Sequence, residues 1–152
     1  MATIGIALVT LGLPLLISAS APAHTTDTEP AFPPGSLLHE GYDAYTRGAF
    51  EQAAEIWQQA VRSHHEAGQV VEESDARMAL ARAYLSLGFH SRAAQTLDVV
   101  VVLTQGKDHS RQAAAMELLG QAYLAGGHPD AALETLEQAR QLANEADNQQ
   151  KN

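Results

Sequence analysis

Apolar residues recur every three or four positions from Leu37 to about Ala146, and glycine-centred breaks interrupt them at regular intervals. This spacing is typical of amphipathic helices. Gly48, Gly88 and Gly127 lie 40 and 39 residues apart. Each separates two periodic stretches, so each predicts the turn of a helical hairpin. The pattern therefore predicts helices at residues 37–47, 51–66, 70–87, 91–104, 110–125 and 129–147.

Each predicted hairpin carries the same small and large residues after its turn. An alanine follows the glycine, a larger apolar residue comes four positions later, and a third apolar residue comes three positions further on. These offsets lie on one helix face, and small residues beside large ones let two helices pack closely. A tyrosine also precedes each turn. The predicted packing positions are Gly48, Ala53, Trp57, Tyr84, Gly88, Ala93, Leu97, Tyr123, Gly127, Ala132 and Leu136.

These residues resemble the tetratricopeptide repeat. The third copy fits most fully, the second fits well, and the first is weaker because Glu40 stands where leucine is expected. The resemblance implies an all-α fold, a right-handed solenoid of about three antiparallel helix pairs over residues 37–147. The period exceeds the usual length of about 34 residues. In this it is similar to the repeats of kinesin light chains and to those preceding CHAT domains in some bacterial proteins.

One segment conflicts with its local propensity. Residues 99–103 read Val-Val-Val-Val-Leu, which favours a strand, whereas the repeat register places them in a helix. We follow the register and expect burial on several sides, because the run is apolar all round. We also expect Ser36 to be a helix N-cap, and Gly68 and Gly106 to end the second helices.

The first 23 residues predict an export signal. They lack charged side chains, an apolar run extends from Ile4 to Ile17, and Ala21-Pro22-Ala23 fits a cleavage site. No Lys or Arg precedes the run, so an uncleaved anchor is the alternative. We expect an exported protein, periplasmic or secreted, with a flexible linker at 24–36 and a disordered tail at 148–152.

The composition argues against several chemistries. The formal charge is −9 and there is no cysteine, so nucleic acid is not an expected partner and thiolate metal sites are excluded. His64 and His65 are adjacent and diverge on a helix, so we expect no metal site. Glu72 and Glu73 are expected on a polar face. We therefore predict no catalytic residue, no cofactor and no enzyme.

The predicted function is that of a non-catalytic scaffold or adaptor for a protein or peptide partner. In the family that the chain resembles, the first helix of each pair forms a concave groove that carries recognition. The alternative function is that of a structural subunit of a cell-envelope assembly, which uses the repeats for oligomerisation. Leu133, Leu136 and Leu142 are expected to be incompletely covered at the end of the array, where self-association or a partner could cover them. By repeat register the predicted groove residues are Leu38, Tyr42, Tyr45, Met78, Arg82, Leu85, Glu117, Gln121 and Leu124.

Overall fold

The structure, a computed structural model, describes residues 33 and 35–151. Those residues form six α-helices and no strand: α1 (Leu37–Thr46), α2 (Phe50–Glu66), α3 (Val70–Ser86), α4 (His90–Thr104), α5 (His109–Ala125) and α6 (Pro129–Gln150). The predicted all-α class and helix pairs are confirmed. The predicted signal peptide and all but the end of the predicted linker lie outside the described residues.

The predicted glycine turns recur with one hydrogen-bonding pattern. Gly48, Gly88 and Gly127 have φ of 78°, 77° and 83°. In the second turn the Gly88 amide donates to the Leu85 carbonyl and the Phe89 amide to the Tyr84 carbonyl, at 3.0 and 2.8 Å. The other two turns repeat these bonds. A side chain disfavours this left-handed backbone, which is why glycine ends each first helix.

The helices stack in chain order, with the first helices of successive pairs also in contact. Each helix packs on the next, α3 contacts α1, and α5 contacts α3. One core lies among α1, α2 and α3 around Trp57 and Leu80, and another lies among α3, α4 and α5 around Leu97 and Val100. This is the architecture of a helical-repeat array.

The predicted small-to-large contacts fix the hairpin crossings. Ala53, Ala93 and Ala132 are all buried. A β carbon added at Gly120 would lie 2.6 Å from Leu136 Cγ, so α5 and α6 meet closely at that point. The equivalent pair in the first hairpin is Gly41 and Trp57. Close approach at these positions explains why they are glycine or alanine.

The helix ends combine predicted and additional features. Ser36 caps α1, as predicted, by accepting a hydrogen bond from the His39 amide at 3.2 Å. Asp108 caps α5 through the Arg111 amide at 2.9 Å. The last helix continues to Gln150, so part of the predicted tail 148–152 is helical. Gly68 and Gly106 follow α2 and α4 with positive φ, as predicted.

The valine run is helical, but its predicted burial on several sides is wrong. Val100 is fully buried, whereas Val102 is 70% exposed and Val99 is also exposed. Only the second core includes residues of α4, and among the described helices α4 contacts α3 and α5 alone, so the valines on its opposite side have no helix over them. Along residues 35–151 no helix combines the length and apolar content needed to cross a bilayer.

Candidate protein-interaction surface

The nine predicted groove residues lie on α1, α3 and α5, the first helices of the three pairs. Within each helix they are spaced by four and three positions, so they share one face. We call this face of the three helices the first-helix wall. It is continuous along the array because α3 contacts both α1 and α5.

On α1 the wall is largely engaged in packing. Leu38 is 7% exposed, and its carbonyl accepts a hydrogen bond from Trp57 Nε1 at 3.2 Å. The ring of Tyr45 lies 5.1 Å from that of Phe50 and 5.7 Å from that of Trp57, centroid to centroid. Tyr42 is half-buried against the same core. Leu38 therefore contributes to packing, while the two tyrosines keep part of their surface exposed.

On α3 and α5 the wall is more open. Met78 and Leu85 are half-buried against the second core, with their remaining surface exposed. Arg82 is exposed, as are Glu117 and Gln121, and Leu124 is 61% exposed. The accessible wall thus combines apolar surface with few charges.

Polar bridges join the first helices and were not predicted from the sequence. The hydroxyl groups of Tyr45 and Ser86 lie 2.9 Å apart, linking α1 to α3. Arg111 donates to Asp75 at 2.8 Å, linking α5 to α3, and also pairs with Asp108. Its hydrogen bond with Asp75 raises the pKa of Arg111 despite the opposing effect of burial. The sequence signal for this ion pair is the occurrence of opposite charges, Asp75 and Arg111, near the starts of the neighbouring helices α3 and α5.

At equivalent positions of α2 and α4, a polar side chain lies near a tyrosine of the next first helix. Gln58 Nε2 on α2 donates to the Tyr84 hydroxyl on α3 at 2.8 Å. One repeat further, Asp98 on α4 lies near Tyr123 on α5. Burial raises the pKa of Tyr123, and the charge of Asp98 raises it further. Burial likewise raises the pKa of Asp98.

The expectation that Glu73 lies on a polar face is wrong. Glu73 is 4% exposed, and its carboxylate accepts a hydrogen bond from Arg77 Nε at 2.8 Å. His65 Nδ1 lies 3.1 Å from its other oxygen. Burial raises the pKa of Glu73, but hydrogen bonds to Arg77 and His65 outweigh it, so the pKa lies below its ordinary value. This cluster fastens α2 to α3.

A small cleft near two helix starts gathers other polar groups. Its volume is about 230 Å³, and His90, Asp98, Tyr123 and His128 are among its lining residues. Over residues 35–151, no three His, Asp or Glu side chains are placed to hold a metal ion.

Together, the six helices and their repeated crossings define an all-α protein of stacked helix pairs. The sequence model of the tetratricopeptide repeat matches residues 38–108, slightly less than half of the chain. The match supports a tetratricopeptide-repeat protein, and the fold is consistent with the superhelix of that family. The third pair lies outside the matched range, and α5 joins it to the array through Ala115, Leu118, Leu119, Ala122 and Tyr123. No curated protein and no solved structure matches the chain.

Proposed function

We propose that this chain is a non-catalytic scaffold or adaptor that binds an extended or helical segment of a partner protein on its first-helix wall. Tetratricopeptide repeats are commonly protein–protein interaction modules. The observation that carries the proposal is the partly exposed apolar and aromatic surface of Tyr42, Tyr45, Leu85 and Leu124 on three adjoining helices. Tyrosine is enriched among the few residues that supply most of the binding energy of protein interfaces.

The charge of the wall and of the chain narrows the kind of partner. Arg82 and Glu117 are the exposed charges among the predicted wall residues, so the wall fits a segment anchored by hydrophobic side chains. The formal charge of −9 makes nucleic acid a poor ligand. The resemblance of the long repeats to those preceding CHAT domains stays a prediction, and we propose no enzymatic activity from it.

We further propose that the protein acts outside the cytoplasm, since residues 1–23 have the pattern of an export signal. Mass spectrometry of the mature protein from cell fractions tests this proposal. Cleavage after Ala23 and recovery from the periplasm or medium support it. A chain retained in the cytoplasm with Met1 to Ala23 intact contradicts it, whereas an intact chain in the membrane fraction supports the anchored alternative.

Site-directed photo-cross-linking in the native cell tests the wall. A photoreactive amino acid replaces Gln121, which is exposed on α5, and in a matched variant it replaces Gln59, which is exposed on α2. We expect position 121 to capture a partner that mass spectrometry then identifies. Equal capture from both positions, or capture from position 59 alone, contradicts the proposed wall.

A charge-reversal variant then tests affinity for the captured partner. Arg82→Glu combined with Tyr42→Ala changes the wall, while Arg62→Glu combined with Gln59→Ala makes similar changes on α2 as a control. We expect the first variant to lose binding at least tenfold and the control to retain it, with helical circular dichroism unchanged in both. Undiminished binding by the first variant rejects the wall.

Oligomerisation within a cell-envelope assembly is the second candidate function. It is favoured by the exposure of Leu133 and Leu124, each 61%, because association of chains would remove such apolar surface from water. Light scattering over a range of concentrations separates the two candidates. A mass that rises with concentration favours the assembly, and a strict monomer removes it.

A further inference from the structure

The small cleft beside the α5–α6 turn contains polar groups that the proposed wall does not use. We call it the turn cleft. From His90 to Asp98 it follows α4 for about 12 Å, at 1.5 Å per residue. None of its lining residues is a predicted wall residue. They are His90, Ser91, Ala94, Gln95 and Asp98 on α4, and Ala122, Tyr123, Gly126 and His128 on α5 and the turn that follows it.

The same place in the preceding repeat has apolar side chains instead. The turn glycines are 40 and 39 residues apart, which fixes the equivalent positions. Two phenyl rings and a leucine there give way to two imidazole groups and a glycine in the turn cleft. The change replaces apolar side chains with polar groups that require hydrogen-bond partners. The lining residues His90, Gly126 and His128 correspond to Phe50, Leu87 and Phe89.

Asp98 has no partner for its charge. Its counterpart one repeat earlier, Gln58, donates a hydrogen bond to the Tyr84 hydroxyl at 2.8 Å. Among the described residues, the Asp98 carboxylate forms neither a hydrogen bond nor an ion pair, and partial burial raises its pKa. A cation beside this carboxylate would favour its charged form and lower that pKa.

His90 provides a second polar atom without a partner. Its Nδ1 is buried, and within the part of the chain that the structure describes no group forms a hydrogen bond with it. Buried polar atoms are nearly always paired in proteins, so an unpaired one calls for an explanation. A neutral imidazole protonated at Nε2 accepts a hydrogen bond at Nδ1. An N–H group that enters the cleft would therefore satisfy this atom.

The size and chemistry of the cleft define its ligand. Its volume of about 230 Å³ lies below the roughly 300–1,000 Å³ typical of small-molecule sites, so it suits a single side chain. Two acceptors, one of them charged, call for a cation with several N–H donors. A guanidinium has its donors in one plane, pairs with a carboxylate through two hydrogen bonds and stacks on aromatic rings. The Tyr123 ring lies close enough to Asp98 to feel its charge and supplies such a surface.

We propose that the turn cleft binds an arginine side chain of a partner protein. The guanidinium pairs with Asp98 and lies against Tyr123, and a backbone N–H group of the partner donates to His90 Nδ1. The arginine side chain runs along α4 between these two positions. This contact uses no residue of the first-helix wall, so it is a separate point of recognition that does not depend on the function proposed for the wall.

NMR titration of the ¹⁵N-labelled full chain tests the proposal with three blocked amino acids. The probes are N-acetylarginine amide, N-acetylcitrulline amide, which has nearly the same shape without the charge, and Nα-acetyllysine amide. We expect the arginine probe to shift the amide signals of residues 90–98 and 122–128. It should bind about tenfold more tightly than the citrulline probe, because charged hydrogen bonds are roughly twice as strong as neutral ones. The lysine probe should bind more weakly than the arginine probe, since an ammonium lacks the planar pair of donors.

Two variants assign the roles of the polar groups, with helical circular dichroism unchanged in both. Asp98→Asn keeps the shape of the side chain and removes its charge, so the arginine probe should lose its roughly tenfold advantage over the citrulline probe. Asp147→Asn, an exposed change on α6 outside the cleft, is the matched control and should not change the affinity. His90→Phe introduces the residue of the preceding repeat. It should weaken both probes equally and raise the melting temperature, since it removes an unpaired buried atom.

Several results would overturn the proposal. They are the absence of shifts at the cleft, equal affinity for the arginine and citrulline probes, a lysine probe that binds as tightly as arginine, and an advantage of arginine that survives Asp98→Asn. Free arginine that binds more tightly than its blocked form would identify a small molecule, instead of a partner's side chain, as the ligand. The wall variant Arg82→Glu with Tyr42→Ala should bind the arginine probe normally, so a failure of the proposed wall leaves this test intact.

Discussion

The crossing of α1 and α2 depends on the absence of a side chain at Gly41. A β carbon there would lie 2.6 Å from Cδ1 and 2.7 Å from Cε2 of Trp57. The indole is 2% exposed and donates its N–H to the Leu38 carbonyl. Because it is enclosed on all sides, it cannot swing away as an exposed side chain would. Gly41→Ala should therefore push the two helices apart or rotate the indole.

The expected cost follows from three opposing effects. Alanine in place of glycine favours a helix by about 1 kcal/mol. Overpacking of a core costs about 1–3 kcal/mol, and loss of the indole hydrogen bond costs about 1 kcal/mol. The net effect is a destabilisation of about 2 kcal/mol. For a domain of this size the melting temperature should fall by roughly 5–10 °C.

The second hairpin provides a matched test, because its equivalent pair is Ala81 and Leu97, both fully buried. In a Trp57→Leu background, Gly41→Ala converts the first crossing to that pair. There the added methyl group should cost less than about 0.5 kcal/mol, giving a coupling of about 2 kcal/mol in a double-mutant cycle.

Urea unfolding followed by circular dichroism is the suitable assay, since Trp57 is the single tryptophan and fluorescence is lost in one background. Glu40→Ala, an exposed change on α1, controls for helix propensity. If Gly41→Ala costs the same free energy of unfolding in both backgrounds, contact with the indole does not determine how closely α1 and α2 pack.

Two further predictions concern the cores and the buried carboxylate. Ala93→Leu should destabilise the chain by about 1–3 kcal/mol, because Ala93 is fully buried at the second crossing; urea unfolding checks this value, and Gln95→Leu, exposed on the same helix, should be nearly neutral. Glu73→Gln should cost about 2 kcal/mol near neutral pH, since it leaves Arg77 without its charged partner. The lowered pKa of Glu73 stabilises the fold above its ordinary value of 4.5 and this contribution is lost as pH falls through the lower folded value. The gap in melting temperature between the native protein and the variant should therefore narrow below pH 4.5, and a constant gap would contradict the shift.

Most of the backbone could be predicted because its signals are local and repeated. The glycines at 48, 88 and 127 require a backbone that other residues disfavour, and the alanines that follow them fix the helix faces. The register even overrode the strand propensity of the valine run. The turn and packing residues recur at a fixed spacing, and this recurrence allows a repeat fold to be predicted from a single sequence.

Burial and pairing could not be predicted in the same way, because they depend on which neighbour covers a face. Val102 is exposed because the described helices leave that side of α4 uncovered. The sequence alone does not show how many helices pack against α4. Glu73 is buried because Arg77 and His65 converge on it from two helices. The wall residue Leu38 faces a core for a similar reason, since α1 packs against both α2 and α3.

The third pair has a further consequence for how the array unfolds. The buried apolar side chains of α6 are the alanines at 132, 139 and 146, and among the described helices α6 touches α5 alone. In a linear array, each unit is held only by its neighbours. Amide protons of α6 should therefore exchange with solvent through a partial opening that leaves the central helices closed. A partner bound against α6 would suppress that opening. Its binding could therefore be measured as slower hydrogen exchange of the α6 amides.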